Sequence, residues 1–579
     1  MSFILLLWCC FFVKAETLDQ VRAEADGWRQ QRRLIDLHQH INSNEAHLQR
    51  AVQIMDEAGV GVGVNLSGGY VTSKDDSPSA FETTKVLAER LAPGRFLQYM
   101  NLDYRRWDDE DFSEQAVQQI EEGHRLGAAG LKEYKRLGLY LRDGQGELIK
   151  IDDPKLDPVW KRCGELGMPV SIHVADPVAF WLPYNNKNER WTELKDHKNW
   201  WFGDPDIFPP HQELLAALER VIERHSKTTF VCVHFANNPE DLDWVESQLD
   251  AHPNMMADLA ARIPEIGRMD PIKVRQLFMK HQDRILFATD FQVYDRLTLG
   301  SGGSGPAPTN KDAHSFYSKH WRWLETNDRG FDHMTPIQGD WTINGIGLPA
   351  EVLRKIYFDN ARQLLAKSLP PRTVTARYIS KGFKLTGDLS HPAWHKAAPT
   401  YLEQDSKTGK VLPESSTEIR ALWSDQYLYV GFKASFETLN TFQPPNFTGE
   451  RIGLWEKDVV EMFIGSEPKK IGRYKEFQVS PTGESLDLSL ELPNRDFDWS
   501  SQWATAVNVD EETHIWRSEM KIPLAAIADQ GNDATPNKGD RWPVNFYRMD
   551  TPRKGFLAWN PTLHGSFHKP DRFGWMRFQ

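Results

Sequence analysis

The sequence predicts an α/β barrel of the TIM (β/α)8 type followed by an all-β sandwich. Three observations carry this reading. Short apolar runs alternate with longer helical patterns from Arg33 to about Lys367. The alternation ends at Ser368-Leu369-Pro370-Pro371. From Arg377 onward the chain shows strand-like stretches punctuated by turn residues, with no helical period. A chain of 579 residues, 40% of them hydrophobic, has the material for two such cores. Its net charge of −12 excludes nucleic acid as a partner, because that requires a basic face.

Residues 3–13 form an unbroken apolar run of eleven. A helix needs about 20 residues to cross a bilayer, so no transmembrane span is expected here. The length suits a signal-peptide core, and Val13-Lys14-Ala15 offers cleavage before Glu16, although no Lys or Arg precedes the run. Residues 1–15 are therefore expected to be an export signal, placing the protein in the periplasm or outside the cell. Cys163 and Cys232 remain in the mature chain, and two cysteines make no disulfide framework.

The barrel is expected over residues 30–367. Its strand-like runs lie at 34–38, 60–66, 96–102, 128–134, 170–174, 229–235, 255–260 and 285–289. Helical patterns such as Gln212-Glu213-Leu214-Leu215-Ala216-Ala217-Leu218-Glu219 separate them. A doubly wound open sheet is the alternative, weakened because no Gly-x-Gly-x-x-Gly turn follows an early strand. Residues 176–210, rich in Trp, Pro and Asn, follow the fifth strand. The tract Leu299-Gly300-Ser301-Gly302-Gly303-Ser304-Gly305-Pro306 follows the eighth. Both fall on the face where barrels build active sites. A linker is expected at 368–376 and the sandwich at 377–579.

The strand ends carry chemistry. Ile35-Asp36-Leu37-His38-Gln39-His40 closes the first run, and alternation places His38 and His40 on one face. The fifth run ends at His173, the sixth near His234 and the eighth at Asp290. Four histidines and one aspartate converging on one rim suit a divalent metal with an open position for water. His47, His197, His211 and His225 lie in polar or helical segments and are expected to be solvated.

On these residues the chain resembles the amidohydrolase superfamily, in its amidohydrolase-2 branch, over about 33–367. The segment Leu348-Pro349-Ala350-Glu351 to Ile356-Tyr357-Phe358-Asp359-Asn360-Ala361-Arg362 is similar to that family's closing helix. The resemblance implies one metal ion held by His38, His40, His173 and Asp290. Zinc is the first choice, with manganese and iron open. It implies Asp290 as the proton-transferring group and His234 as the residue that polarises the substrate or assists proton transfer. Lys132 corresponds to a position that some binuclear relatives carbamylate; otherwise it reads as a cation for a substrate carboxylate. Arg262 is a candidate anion clamp, since its planar fork suits carboxylates, with a structural ion pair as the alternative. Asp176 and Arg190 in the long fifth loop are further candidate substrate contacts.

The second half carries Trp455-Glu456-Lys457-Asp458-Val459-Val460-Glu461, Ser480-Pro481-Thr482-Gly483 and Asn545-Phe546-Tyr547-Arg548. These are similar to family-9-like carbohydrate-binding domains, β-sandwiches that hold sugar rings on aromatic side chains and often contain structural calcium. Trp455 and Trp559, each beside polar or turn residues, are the expected sugar platforms. The expected function is an exported metal-dependent hydrolase of a lactone, ester or amide, with a carbohydrate partner and a role in carbohydrate catabolism. A decarboxylase of an aromatic carboxylate and a glycan-binding protein with an inactive barrel are the alternatives. A homo-oligomer is left open.

Overall fold

The apolar runs of the first half become eight strands that pair in parallel in sequence order: β1 (Leu34–Ile41), β2 (Val60–Asn65), β3 (Phe96–Met100), β4 (Gly130–Glu133), β5 (Val170–Ile172), β6 (Phe230–Cys232), β7 (Met255–Asp258) and β8 (Ile285–Leu286). The computed structural model describes residues 16–74, 77–528 and 535–579. The expected export segment at 1–15 lies outside the described residues. The chain divides into two units, Met1–Ser368 and Leu369–Gln579.

β1 is buried along its whole length, as a strand covered on both faces must be. The seam between its end and the eighth run is closed by Leu37 N donating to Phe287 O at 3.0 Å and Asp290 N to His38 O at 2.9 Å. Asp36 bolts the same seam from within. Its carboxylate accepts from Thr289 N at 3.1 Å, Thr289 Oγ1 at 2.6 Å and the Tyr317 hydroxyl at 3.0 Å.

Two departures from the expected strands have one cause. The eighth run is not a single strand: β8 stops at Leu286 and a further strand, β9 (Phe291–Val293), resumes beside β1. Between them Asp290 sits at φ 58°, in the left-handed region, which takes its backbone out of the ladder. The sixth run likewise ends early. His234, Phe235, Ala236 and Asn237 all have φ between 53° and 62°. Each such residue other than glycine costs roughly 1–2 kcal/mol, so something must hold the turn. Asn237 does. Its Oδ1 accepts from Val174 N at 2.8 Å, its Nδ2 donates to Ile172 O at 3.3 Å, and its own N–H donates to Val233 O at 2.9 Å.

In the second unit the strands form one path in the order 494–496, 485–491, 473–479, 459–464, 541–550, 574–578, 373–378, 417–423, 427–435, 515–523 and 504–510. The strand Thr373–Tyr378 begins inside the stretch expected to be linker. Val374 and Ala376 are buried, and the strand lies parallel between Thr417–Trp423 and Gly574–Phe578. The core between the layers is built from Phe432, Phe477, Trp516, Phe546, Trp559 and their neighbours. Cys163 and Cys232, both in the first unit, are free and buried.

Replacing Asn237 with Ala should cost about 3 kcal/mol, since it strands buried backbone N–H groups and keeps a left-handed alanine. Urea unfolding of the barrel measures this, and a loss below about 1 kcal/mol would contradict the role given to Asn237.

Candidate metal centre

His38 and His40 leave β1 on one face, and their Nε2 atoms lie 3.2 Å apart. The left-handed turn at Asp290 brings its Oδ1 to 3.8 Å from His38 Nε2 and 3.6 Å from His40 Nε2. All three residues are buried, and their ligand atoms lie within 4.8 Å of one another, so this cluster could hold a metal ion.

Counting hydrogens tests the fit. His38 Nδ1 lies 2.9 Å from Asp258 Oδ2, a carboxylate that accepts, so the ring proton is on Nδ1 and Nε2 is bare. His40 Nδ1 lies 2.7 Å from Ser67 Oγ. The Tyr134 hydroxyl lies 3.0 Å from both Leu66 O and Ser67 Oγ; with its proton on Leu66 O it accepts from Ser67. Ser67 then has only lone pairs left for His40, whose proton is therefore on Nδ1 and whose Nε2 is also bare. Two imidazole nitrogens and a carboxylate oxygen thus face each other inside the protein. That is a donor set for a cation. Two nitrogens on one tetrahedral zinc would lie about 3.3 Å apart, close to the spacing found here. Burial lowers both imidazoles well below their usual pKa, keeping them neutral, and pushes the Asp290 carboxyl up to about 7 against the hydrogen bond from Gln292 and the charges of Arg262 and Lys132.

His173 stands apart from this triad. Its ring packs 4.3 Å from that of His234, but its Nε2 faces Asp176 Oδ1 at 3.3 Å. His234 donates through Nδ1 to Ala260 O at 2.8 Å, and its backbone N–H goes to Asp258 Oδ1 at 2.8 Å, so its Nε2 too is bare. Asp176 is buried among His173, Arg262 Nη2 at 3.3 Å and the Lys135 ammonium, and those cations hold its carboxyl far below the usual range against the cost of burial. Lys132 is 1% exposed, its Nζ makes no hydrogen bond among the described residues, and burial pulls its ammonium down to about 8.

These groups line one cavity of about 330 Å³ with Tyr134, Lys135, Trp200, Arg296 and the Gly300–Gly303 backbone. The two loops expected to cover the site meet across it. Ser304 N and Oγ donate to Asp196 Oδ2 at 2.8 and 2.9 Å, His197 Nε2 donates to Gly302 O at 2.8 Å, and Ser301 bonds Glu193. Arg190 is a correction: it is fully buried, holds Glu193 with Nε at 2.9 Å and pairs with Glu265, and so props the loop rather than reaching substrate. His197 and His211 are not solvated as expected. His197 lines the cavity, and His211 Nε2 donates to Asp176 O at 3.1 Å. Sequence reasoning passed over Asp258 and Ser67. A carboxylate inside the buried run Met255–Asp258 was the available signal for the first; Ser67 gave none.

The sandwich has a cavity of its own, about 230 Å³, with Trp455, Phe497 and Phe567 as aromatic walls and Glu461, Glu476 and Gln478 beneath. Trp455, one of the two expected platforms, is among its walls. Trp559 is not: it is wholly buried in the core, with Nε1 donating to Thr400 Oγ1 at 2.8 Å, so its ring has no face to offer a sugar. Glu461 and Glu476 lie diagonally on neighbouring strands, Glu461 opposite Gln478 and Glu476 opposite Phe463, and burial raises both carboxyls, Glu476 to about 7. No three carboxylate, imidazole or thiol groups of the second unit converge on a calcium position among the described residues.

The class that this fold and donor set define is a (β/α)8 barrel with a buried His–His–Asp cluster that could hold a cation at the carboxyl ends of its strands. The sequence pattern of the amidohydrolase family matches residues 35–367, more than half of the chain, and the chain belongs to that family. Residues 386–579 match the carbohydrate family 9 binding domain-like pattern. Endo-1,4-β-xylanase A of Thermotoga maritima is 27% identical over 175 residues, which are 29% of this chain but only 14% of the xylanase. Similar solved structures include 2,6-dihydroxybenzoate decarboxylase complexed with 2,6-dihydroxybenzoate, at 16% identity and TM-score 0.34 over 57% of this chain and 98% of that one. A family 9 carbohydrate-binding module of Caldicellulosiruptor kristjanssonii in complex with cellotriose aligns at 15% identity and TM-score 0.27 over 36% of this chain and 94% of that one.

Ser67→Ala removes the acceptor that fixes the His40 ring. It should weaken zinc affinity about 10–100-fold, measured by competition with a chromogenic chelator, with the fold unchanged by circular dichroism. Affinity equal to that of the unmodified protein would refute the hydrogen-bond assignment.

Proposed function

We propose that this chain is an exported hydrolase of carbonyl-linked C–O or C–N bonds that uses one divalent metal ion and carries its own carbohydrate-binding sandwich. The observation that carries the reading is the convergence of His38 Nε2, His40 Nε2 and Asp290 Oδ1 on one point of the cavity at the barrel rim. His173 would join these three after a ring rotation that releases Asp176. A divalent ion held there supplies Lewis acidity and lowers the pKa of a water toward ~7. Asp290, raised to about 7, is matched to taking a proton near neutral pH and returning it to a leaving group. His234 presents a bare Nε2, so it serves as a proton acceptor and not as a donor that polarises a carbonyl.

The carboxy-lyase reading stays beside this one for a specific reason: Lys132 and Arg262 both line the cavity, where they suit a substrate carboxylate. In the sandwich, a pyranose ring stacked on Trp455 and Phe567 with hydroxyls donating to Glu461 and Gln478 fits the second cavity. A glycan-binding protein with a dead barrel is disfavoured, since decay would have no reason to spare a complete donor set. Carbohydrate catabolism outside the cytoplasm is the setting that joins the two halves.

Purified protein should contain about one equivalent of zinc, manganese or iron, and chelation should abolish turnover of lactones, esters or aromatic acids in a screen. His38→Ala and Asp290→Asn should each lower kcat/KM by at least about 100-fold; metal-free protein with unchanged activity in both variants would refute the mechanism. Trp455→Ala should abolish binding to cello- or xylo-oligosaccharides on a glycan array and leave turnover of small substrates intact.

The Asp290 carboxyl binds its proton more tightly than an exposed aspartate does, so protons compete with metal below its raised pKa. Metal affinity should fall about tenfold per pH unit below about 7 and level off above it. Titration of metal-free protein between pH 5 and 8 checks this, and an Asp290→Asn protein should lose that slope.

A further inference from the structure

The floor of the sandwich cavity presents acceptors, and the donors beside it are spent. Strands Val459–Ile464 and Arg473–Val479 pair antiparallel, and alternation turns Glu461, Glu476 and Gln478 to one face. The opposite face carries Val460, Met462, Phe477 and Val479 into the core between the layers. The three polar residues are at most 3% exposed, and each keeps an oxygen without a hydrogen bond among the described residues: Glu461 Oε1, Glu476 Oε2 and Gln478 Oε1. The Gln478 amide donates to Glu476 Oε1, and the Tyr547 hydroxyl donates to Phe567 O at 2.8 Å. The Tyr474 hydroxyl lies 2.7 Å from His568 Nδ1. Three buried acceptors left open are costly unless a ligand brings donors to them.

Charge sorts the occupants. Glu461, Glu476 and Arg495 are the charged residues of the lining, and burial together with Arg495 lowers His568 to about 4, so its ring is neutral. Burial raises Glu461 well above the usual carboxylate range, with Glu476 adding to the rise, and lifts Glu476 itself to about 7. The protein alone therefore keeps a proton on the pair near neutral pH. With both carboxylates ionised, two negative charges face the one positive charge of Arg495. A neutral sugar leaves the difference uncompensated in a buried place, whereas a monocation cancels it. A primary ammonium brings three N–H donors, one for each open oxygen. No imidazole, thiol or third carboxylate converges with the two glutamates among the described residues, so a divalent ion lacks its cage.

We infer that the sandwich takes an amino sugar, a pyranose whose primary ammonium sits on Glu461, Glu476 and Gln478 while its ring lies against Trp455. This deepens the proposed sugar-binding role and rests on that cavity being the glycan site. The volume of about 230 Å³ holds one ring. Arg495, exposed at the rim, is left for the ring hydroxyls. On binding, the carboxyl O–H of the pair breaks, its proton passes to solvent, and the ammonium takes its place.

The test titrates glucosamine, glucose, n-butylamine and calcium chloride by calorimetry into the full-length protein, Glu461→Gln, Glu476→Gln and Trp455→Ala. Glucosamine should bind at least about tenfold tighter than glucose. Each Gln variant should lose that preference, bind glucose as before and unfold at no lower temperature, because an isosteric amide replaces a buried charge. Glucosamine titrations in buffers of different ionisation enthalpy should show net proton release near neutral pH. Equal binding of the two sugars overturns the inference, as does a preference that survives both Gln variants. So do absence of proton release, n-butylamine binding as tight as glucosamine, and a calcium-binding heat that Glu476→Gln removes. The sugar-binding reading fails separately, if both sugars bind Trp455→Ala as tightly as the unmodified chain.

Discussion

The buried carboxylate of Asp258 is the constraint on which the site depends. One of its oxygens accepts the Nδ1 proton of His38, and the other accepts the backbone N–H groups of His234 and Ala260. A single side chain at the end of β7 thereby sets the tautomer of a β1 ligand and the left-handed turn that presents the β6 histidine. Burial would favour its neutral form and lifts it to about 6, while Lys132 and the two backbone donors pull the other way. Were it to lose its charge, both assignments would loosen together.

Strain and order are coupled throughout the rim. The left-handed residues at 234–237, Ala261 and Asp290 all lie where strands end and chemistry begins. Regular strands would send these side chains up the barrel axis or out into the helical layer. The left-handed turns aim them at one another, and hydrogen bonds from Asn237 and Asp258 hold the cost. The loops above are organised differently, by polar cross-ties such as Asp196 to Ser304 that break and reform cheaply.

Much of this was legible in the sequence, for physical reasons. Buried parallel strands must be continuous apolar runs, so the barrel could be counted, and the His38-x-His40 spacing fixes a shared face. The change of period after Pro371 marked the sandwich. What escaped detection depended on tertiary contact. Arg190 sits in a polar loop like any surface arginine, and only the fold reveals Glu193 and Glu265 closing on it. Trp559 and Trp455 have similar neighbours in sequence, yet one fills the core and the other walls a cavity. Ser67 acquires its role from Tyr134 and His40, which are far from it in the chain. Positive backbone angles at non-glycine residues such as Asp290 leave no trace in composition.

The two cysteines carry a different consequence. Cys163 and Cys232 are sealed in the barrel interior, where burial raises both thiols far above the range in which thiolate forms. Neither can attack a disulfide, capture a soft metal intended for the rim or be oxidised without prior unfolding. An unfolded or damaged barrel would announce itself by the sudden reactivity of these two thiols.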